Sequence, residues 1–433
     1  MRSDMRLYGV IGRPILHSKS PKIFRFIFRN WGINGNYVAF IVDSVEEAIS
    51  FGKKIGFSGL NVTSPYKEEI LRHVDLMDDR VKKLRAANTI IFSGETTFAF
   101  NTDVDGIREA FSKNGVELKG KKVAIIGAGG SAKAVAFFVS SHTSFFIFNR
   151  SDKNAKNIIT IFGGSYICPQ DKERLKEMDV LIFCLPAYLD FEFGDFIREG
   201  QVFFDANYVR TKERKKVLEE RGIKYIGGED WFLFQAIYSA RHFLGIEIAY
   251  EALKDVLYGS EKKSKIICLI GFMGSGKTEV GRSLAEKLGF EFLDTDEVIE
   301  AKERITIDRI FKEKGEGYFR EIEEKIITEL LNTKKEAVIS LGGGSILSAK
   351  VREALKEKAV TVWLWAEKET ILNRTFGSKS RPLLKYERID ELLKERMPFY
   401  KETADIIVST ENRVVDEIAN RLKEEIDYGF HCD

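Results

Sequence analysis

Short apolar runs separated by amphipathic stretches recur along the whole chain, and their spacing predicts alternating strands and helices. Residues 6 to 103 interleave β-like runs such as Leu7–Ile11 and Tyr37–Phe40 with helical segments. From 120 to 229 the strand–helix–strand rhythm is regular, with strands predicted at Val123–Ile126, Phe145–Phe148, Val180–Cys184, Val202–Asp205 and a short Lys224–Ile226. Such alternation argues for a parallel, doubly wound sheet. Residues 231 to 257 carry aromatic and aliphatic side chains at three- and four-residue spacing and read as helical. The polar stretch Tyr258–Ser264 breaks the pattern and is the predicted domain boundary. Beyond it an α/β pattern restarts: strand Ile266–Ile270, helix Lys277–Leu288 stopped by Gly289, strand Glu291–Leu293 and, further on, strand Ala337–Leu341. Val280, Leu284 and Leu288 share one face of that helix and should pack on the sheet.

A chain of 433 residues outgrows a single core, which stops growing at about 250–300 residues, and implies about two to four domains. Apolar content of 44% with 31% charged residues marks a globular protein and excludes a disordered one. The formal net charge of +2, with both signs mixed throughout, gives no reason to expect nucleic acid or an anionic membrane as partner. No apolar run approaches the roughly 18 residues of a membrane span. The N-terminus enters a strand pattern without a signal-peptide core, so a cytoplasmic location is expected. The four cysteines form no Cys-x-x-Cys pair and read as three buried thiols and one tail residue in a reducing compartment. The five histidines show no zinc-site spacing.

Two glycine loops carry the candidate chemistry. The first, Gly127-Ala128-Gly129-Gly130-Ser131-Ala132, follows the apolar run Val123–Ile126 and opens a helix. Glycines there allow a tight turn and close backbone approach, and the helix N-terminus faces a pyrophosphate. Roughly 20 residues on, where a carboxylate would read a ribose 2′-hydroxyl, the chain has Asn149-Arg150-Ser151, then Asp152 and Lys153. A planar, permanently charged Arg150 suits a 2′-phosphate, which favours NADP(H) over NAD(H); the other reading of Arg150 is a solvated surface residue.

Polar clusters precede this loop: His17-Ser18-Lys19-Ser20-Pro21, Asn61-Val62-Thr63-Ser64-Pro65-Tyr66-Lys67, Ala87-Asn88-Thr89 and Asn101-Thr102-Asp103. Singly, each looks like a cap or a turn. Converging, they would make a pocket for a polyhydroxylated small molecule.

Together with the glycine loop, Asn149-Arg150-Ser151, Asp205-x-x-Tyr208 and Gln235, these clusters make residues 6 to 258 resemble shikimate dehydrogenase, which reduces 3-dehydroshikimate with NADPH. The resemblance implies that Ser18, Ser20 and Tyr208 hold the substrate carboxylate. It implies that Thr63, Asn88 and Gln235 take ring oxygens, that Gly228 lies by the nicotinamide, and that Lys67 and Asp103 form the catalytic pair. Hydride delivery to a ketone builds negative charge on oxygen, which an ammonium can stabilise and protonate. Two places depart from the family. An Asn-Ala-Thr-Pro-like turn is replaced by Phe183-Cys184-Leu185-Pro186, and a Gly-x-Gly-Met-Leu by Gly228-Glu229-Asp230-Trp231-Phe232.

The second loop, Gly271-Phe272-Met273-Gly274-Ser275-Gly276-Lys277-Thr278, is a P-loop directly after a strand. Its backbone N–H groups suit phosphates, Lys277 the β- and γ-phosphates, and Thr278 a Mg²⁺ ion. Asp294-Thr295-Asp296 ends the next strand, and two carboxylates so spaced can divide between metal and acceptor hydroxyl; the alternative is a pair of capping acids. Downstream come Phe319-Arg320, Leu341-Gly342-Gly343-Gly344, Arg381-Pro382-Leu383-Leu384 and Arg396-Met397-Pro398-Phe399-Tyr400. This set resembles shikimate kinase over residues 265 to about 415. The resemblance implies that Arg320, Arg396 and the Gly342–Gly344 backbone bind shikimate, Asp296 engages its 3-hydroxyl and Asp294 the hydrated Mg²⁺. Arg374 would lie by the adenine of ATP, and Arg381 would reach the transferring phosphate from a lid over about Phe376 to Arg388.

The fold implied is α/β throughout. A two-domain dehydrogenase comes first, with an α/β substrate domain (1–104 plus 230–258) and a Rossmann NADP domain (105–229). A linker (259–264) leads to a P-loop α/β kinase domain with parallel sheet and lid (265–433). The two implied reactions are consecutive, because reduction makes the C3 hydroxyl that the kinase phosphorylates. Alternatives are a quinate-type dehydrogenase beside a gluconate-like kinase, a chain with one half only a scaffold, and a ligand-sensing regulator lacking the chemistry.

Overall fold

The computed structural model describes residues 5–185, 196–208, 211–258, 264–375 and 388–431. The chain packs as two compact units. The first comprises Met1–Pro21, Arg25–Asp43 and Ser260–His431; the second gathers Lys22–Phe24 and Ser44–Gly259.

In the first unit, parallel strands lie in the order Glu291–Asp294, Glu336–Ser340, Lys265–Ile270, Val360–Trp365, Ile406–Ser409, Gly35–Ile41, Arg6–Ile11. The sequence pattern groups Arg6–Ile11 and Gly35–Ile41 with the residues that follow them. In the structure, Ile406, Ile407 and Val408 pair in register with Ala39, Phe40 and Ile41. The join is satisfied at its polar edges. The Asn36 amide donates to the carbonyls of Lys401 and Ala404 (2.9 and 2.7 Å), and Arg25 ion-pairs with Asp405 at 2.6 Å. Helix Lys277–Leu288 ends as the sequence predicts, with Gly289 as a left-handed cap at φ 70°. Val280 and Leu284 are buried and Leu288 half-buried, so its apolar face covers the sheet.

In the second unit, a parallel sheet runs Lys224–Ile226, Val202–Asp205, Val180–Phe183, Val123–Ile126, Phe145–Phe148, Ser165–Ile167. Only Ser165–Ile167 lies outside the predicted strands; its three residues carry too weak a pattern. Apolar clusters bury both faces, as a doubly wound sheet requires. Phe57–Val62, Thr89–Ser93 and Thr96–Phe100 form an antiparallel group. The helical reading of 231–257 is corrected: one helix, Gly228–Leu244, stops at Gly245 in the left-handed region, and single 3₁₀ turns follow. Apolar spacing continued past a glycine that the backbone uses to turn.

The cysteine reading is corrected as well. Cys268 is buried in a central strand, but Cys168 and Cys184 are half-buried because each lies just past the end of a strand; Cys432 lies outside the described residues.

Candidate active sites

The second unit brings Lys67, Asn88, Asp103 and Gln235 together. Asp103 starts helix Asp103–Lys113, and Lys67 follows a turn closed by the Tyr66 N–H donating to the half-buried Thr63 carbonyl at 2.9 Å. Lys67 Nζ lies 2.6 Å from Asp103 Oδ2, with both side chains buried. Asp103 Oδ1 accepts from the Asn88 amide at 3.0 Å, and the same amide donates to Gln235 Oε1 at 3.1 Å and Thr102 Oγ1 at 3.0 Å. Ser239 Oγ joins the network through Thr89 and Thr102 (2.9 and 3.0 Å), and Asn61 donates to it at 3.0 Å. A buried network this complete fixes rotamers, since any partner lost would leave a polar atom unsatisfied.

Sequence reasoning missed Ser239 and Trp231. The indole N–H of Trp231 donates to the Asp103 carbonyl at 2.8 Å, and a Cβ on Gly106 would lie 2.6 Å from that indole. The family departure at Asp230 has a structural role too. Asp230 ion-pairs with Lys113 at 3.2 Å and accepts from Asn114 at 2.8 Å and from the Tyr250 hydroxyl. The signal lay in the sequence only as a mismatch.

The first glycine loop adjoins this network. Gly129 caps helix Gly130–Ser140, whose first turn has no acid, and a Cβ on Gly130 would lie 3.5 Å from Lys67 Cδ. Lys133 ties that helix to Glu68 at 2.5 Å. Ser131 and Ala132 continue the helix, and Ala128 borders the core. Space beside Gly129 is open, so an uncharged helix terminus faces room for a pyrophosphate. At the next strand end the Asn149 amide donates to the Ser151 carbonyl at 2.8 Å, Ser151 caps the following helix, and Arg150 and Lys153 are exposed. The Cys184 thiol is pushed well up by burial and by Asp205, with Lys67 pulling the other way.

Asp205 is an anchor. It is fully buried and accepts from Arg214 at 2.6 Å, Tyr225 at 3.0 Å and both nitrogens of Asn207. That holds the turn carrying Tyr208, whose ring packs 4.4 Å from Phe232. Gly228 is needed for close approach: a Cβ there would lie 2.6 Å from the Asn207 carbonyl. In the first unit, Ser18 and Ser20 form their own pair, 3.2 Å between hydroxyls, at the start of helix Ser20–Asn30.

The second glycine loop is built as expected. Gly276, at φ 89°, caps helix Lys277–Leu288 in the left-handed region that glycine adopts without strain. Lys277 Nζ donates to the carbonyls of Gly271 and Phe272 (3.0 and 3.1 Å), and Thr278 Oγ1 donates to Asp294 Oδ2 at 2.8 Å. Asp294 also caps the next helix through Oδ1, which accepts from the Asp296 N–H at 3.0 Å, so its two oxygens divide capping from the Thr278 contact. Ser275 Oγ is buried without a hydrogen-bond partner among the described residues, and Arg374 reaches the Gly274 carbonyl at 3.4 Å and Thr410 at 2.9 Å.

The acceptor residues converge on the triple glycine. A Cβ on Gly342 would lie 3.0 Å from Asp296 Oδ1, one on Gly343 3.5 Å from Arg396 Nη1, and one on Gly344 2.5 Å from the Arg320 guanidinium. The Gly343 carbonyl accepts from Arg396 at 3.0 Å and from Tyr400, whose phenol burial pushes up to about 12 against the pull of Arg396. Arg396 Nε is buried with no hydrogen-bond partner among the described residues. Arg320 loses hydration on burial, yet Glu323 and Glu316 hold its charge up. Arg381, with most of the expected lid, and Pro186 lie outside the described residues.

Comparison with known proteins matches this geometry. The family model for shikimate kinase matches residues 273–427, that for the shikimate dehydrogenase substrate-binding domain 10–90, and that for shikimate/quinate 5-dehydrogenase 109–188. Shikimate kinase of Thermodesulfovibrio yellowstonii is 45% identical over 165 residues, 37% of this chain and 94% of the relative. Shikimate dehydrogenase (NADP(+)) of Ignicoccus hospitalis is 33% identical over 250 residues, 55% of this chain and 93% of the relative. The crystal structure of shikimate dehydrogenase from Aquifex aeolicus matches with a TM-score of 0.56 and 30% identity, over 59% of this chain and 98% of that one. The chain therefore belongs to two families, shikimate dehydrogenase in its first part and shikimate kinase in its last, and is a bifunctional enzyme of the shikimate pathway.

Proposed function

We propose that the chain reduces 3-dehydroshikimate to shikimate with NADPH and then phosphorylates the new 3-hydroxyl with MgATP, in the cytoplasm. Among the described residues no helix is long and apolar enough to cross a membrane. The domain division proposed is 1–104 plus 230–258, 105–229 and 265–433. Bound NADPH supplies the hydride, and bound MgATP the phosphoryl group.

In the reductase half, Lys67 Nζ stabilises charge growing on the carbonyl oxygen and passes it a proton. Asp103 orients the lysine, while Asn88, Gln235 and Thr63 take ring hydroxyls. Ser18, Ser20 and Tyr208 take the carboxylate. Gly127–Ala132 hold the pyrophosphate, Asn149, Arg150, Ser151 and Lys153 the 2′-phosphate, and Gly228 makes room for the nicotinamide. In the kinase half, Arg320 and Arg396 clamp the carboxylate, since a planar fork matches it. Asp296 accepts the 3-hydroxyl proton. Gly274–Thr278 and Arg374 hold the nucleotide, with Lys277 and Arg381 on the transferring phosphate. Thr278 and Asp294 would hold Mg²⁺, which would neutralise charge on the nucleotide phosphates.

The buried Lys67–Asp103 pair beside the glycine-loop helix carries this reading. A regulator would have no use for an ammonium and carboxylate buried at 2.6 Å beside a glycine loop with open space at Gly129. The scaffold reading loses its motive, because Trp231 supports Asp103 and Asp230 braces the same helix. One assay tests the whole proposal: 3-dehydroshikimate, NADPH and MgATP, with NADPH loss and shikimate 3-phosphate followed together. Lys67→Ala should stop NADPH loss, and Lys277→Ala should accumulate shikimate. Phosphorylation of added shikimate with NADPH untouched would refute the reductase half.

A further inference from the structure

The loop that carries Ser18 and Ser20 is held by a helix that belongs to the kinase segment. Helix Val415–His431 lies in the same compact unit as residues up to Pro21. Its Glu425 is fully buried, and Oε2 accepts the backbone N–H of Ile15 at 2.7 Å and of Leu16 at 3.2 Å. The other oxygen, Oε1, ion-pairs with Arg421 at 2.7 Å, and Arg421 is buried as well. One turn on, Tyr428 meets the His17 ring edge-on at 5.2 Å, and a Cβ on Gly429 would lie 3.1 Å from Leu16 Cβ. The loop is thus clamped at three consecutive residues, Ile15, Leu16 and His17.

The clamp extends to the serines. The Ser18 N–H donates to the Ile15 carbonyl at 2.9 Å, Ser18 Oγ accepts the Ser20 N–H at 3.2 Å, and the two hydroxyls are hydrogen-bonded. Ile15 therefore links the Glu425 carboxylate, through its own N–H and carbonyl, to the backbone of Ser18, which begins the pair of hydroxyls. Asp43 is gripped by Arg413 at 2.9 Å, with Arg13 and Arg421 within 3.9 Å.

A charged acceptor is costly to bury, and this one has two backbone donors and an arginine to offset that cost. Exposed chain would satisfy Ile15 and Leu16 with water instead, so the arrangement gains order rather than mere satisfaction. Since the hydroxyls must meet a carboxylate with sub-ångström accuracy, loop order translates into substrate affinity.

We propose that Glu425, with Tyr428 beside it, is a positioning residue for the dehydrogenase: the kinase segment's last helix sets the geometry of the Ser18/Ser20 carboxylate-binding loop. This rests on the reading of Ser18 and Ser20 given above. Neither Glu425 nor Tyr428 belongs to the kinase machinery, so the kinase reaction in the same chain is an internal control for folding.

The test uses full-length wild type, Glu425→Ala, Glu425→Gln and Tyr428→Leu. Each is assayed for shikimate oxidation with NADP⁺ and for shikimate phosphorylation. Glu425→Ala should raise the dehydrogenase KM for shikimate about 10- to 100-fold, leaving the KM for NADP⁺ and the kinase constants in place. Glu425→Gln, which keeps an acceptor oxygen, should recover part of the loss, and Tyr428→Leu should show a smaller rise of the same kind. An unchanged KM for shikimate in both Glu425→Ala and Tyr428→Leu overturns the proposal. If Glu425→Ala loses both activities, the helix has unfolded and Tyr428→Leu decides: a selective rise supports, no rise overturns. A wild type that phosphorylates shikimate but cannot oxidise it refutes the dehydrogenase reading itself, and the inference with it.

Discussion

Glu323 accepts a hydrogen bond from Arg320 Nη1 at 2.7 Å through one carboxylate oxygen and from Ser345 Oγ at 2.6 Å through the other. Glu323 is itself buried, so it holds the guanidinium in place beside Gly344. Sequence motifs pointed to Arg320 but not to the carboxylate three residues on that aims it.

We expect Glu323→Gln to weaken the kinase more than the dehydrogenase. A charge-assisted hydrogen bond contributes about 1.5–3 kcal/mol, which corresponds to about a 10- to 150-fold fall in kinase kcat/KM for shikimate. The loss should fall mainly in KM, because in the proposed role Arg320 would contact the carboxylate equally in the ground and transition states. Steady-state kinetics with shikimate varied at saturating MgATP measures this, and a fall confined to kcat would contradict the role.

Asn88 is the hub of the reductase network, holding Asp103, Thr102 and Gln235 through one amide. We expect Asn88→Ala to lower dehydrogenase kcat about 10²-fold, the lower end of what a mispositioned acid–base pair costs. Kinase turnover in the same sample should be unchanged. Equal losses in both assays would mean global damage rather than a displaced Asp103.

The motifs that meet phosphate were legible in the sequence because their chemistry is local. A loop of N–H groups needs glycine at fixed offsets, as Gly276 shows with its φ of 89°. The parallel sheets were legible through the apolar runs. Three-dimensional partners were not. Trp231 reads as a family mismatch until its N–H is seen on the Asp103 carbonyl. Glu425 reads as one more acid on an amphipathic helix until Ile15 and Leu16 are found on it, 410 and 409 residues away in sequence. The pairing of Ile406–Ser409 with Gly35–Ile41 was equally hidden, because register between distant strands leaves no periodic trace.

His17 gives the protein an acid-sensitive contact. Burial lowers its pKa from 6.5, so above that value both folded and unfolded chains hold it neutral and it contributes nothing. As the pH falls below 6.5, the unfolded chain takes up the proton first, and stability is lost progressively through the lower folded value. His242 acts in the same direction, lowered by burial against the opposing pull of Asp105 and Asp78. We expect urea midpoints to fall between about pH 7 and pH 5, the histidine range, and the fall to be shallower in His17→Gln. An identical slope in that variant would show that His17 is not one of the responsible groups.

Asn36 tests the shared sheet. Its amide donates to two carbonyls, Lys401 and Ala404, while its own oxygen accepts the Tyr37 N–H at 2.8 Å. Asn36 is only 8% exposed, so Asn36→Ala strips two carbonyls and one N–H of their partner at a largely buried place. Leaving buried polar groups unsatisfied costs about 1–3 kcal/mol, and the strain falls where Gly35–Ile41 meets Ile406–Ser409. Hydrogen exchange reads that place directly: we expect faster exchange of the strand amides there, the Ala39 N–H that donates to the Asp405 carbonyl at 2.9 Å among them. Amides of the second unit's sheet, such as those of Val123–Ile126, should keep their protection. Uniform loss of protection across both units would instead mean that the chain unfolds as one cooperative body, and unchanged exchange would mean that this strand pairing does not hold in solution.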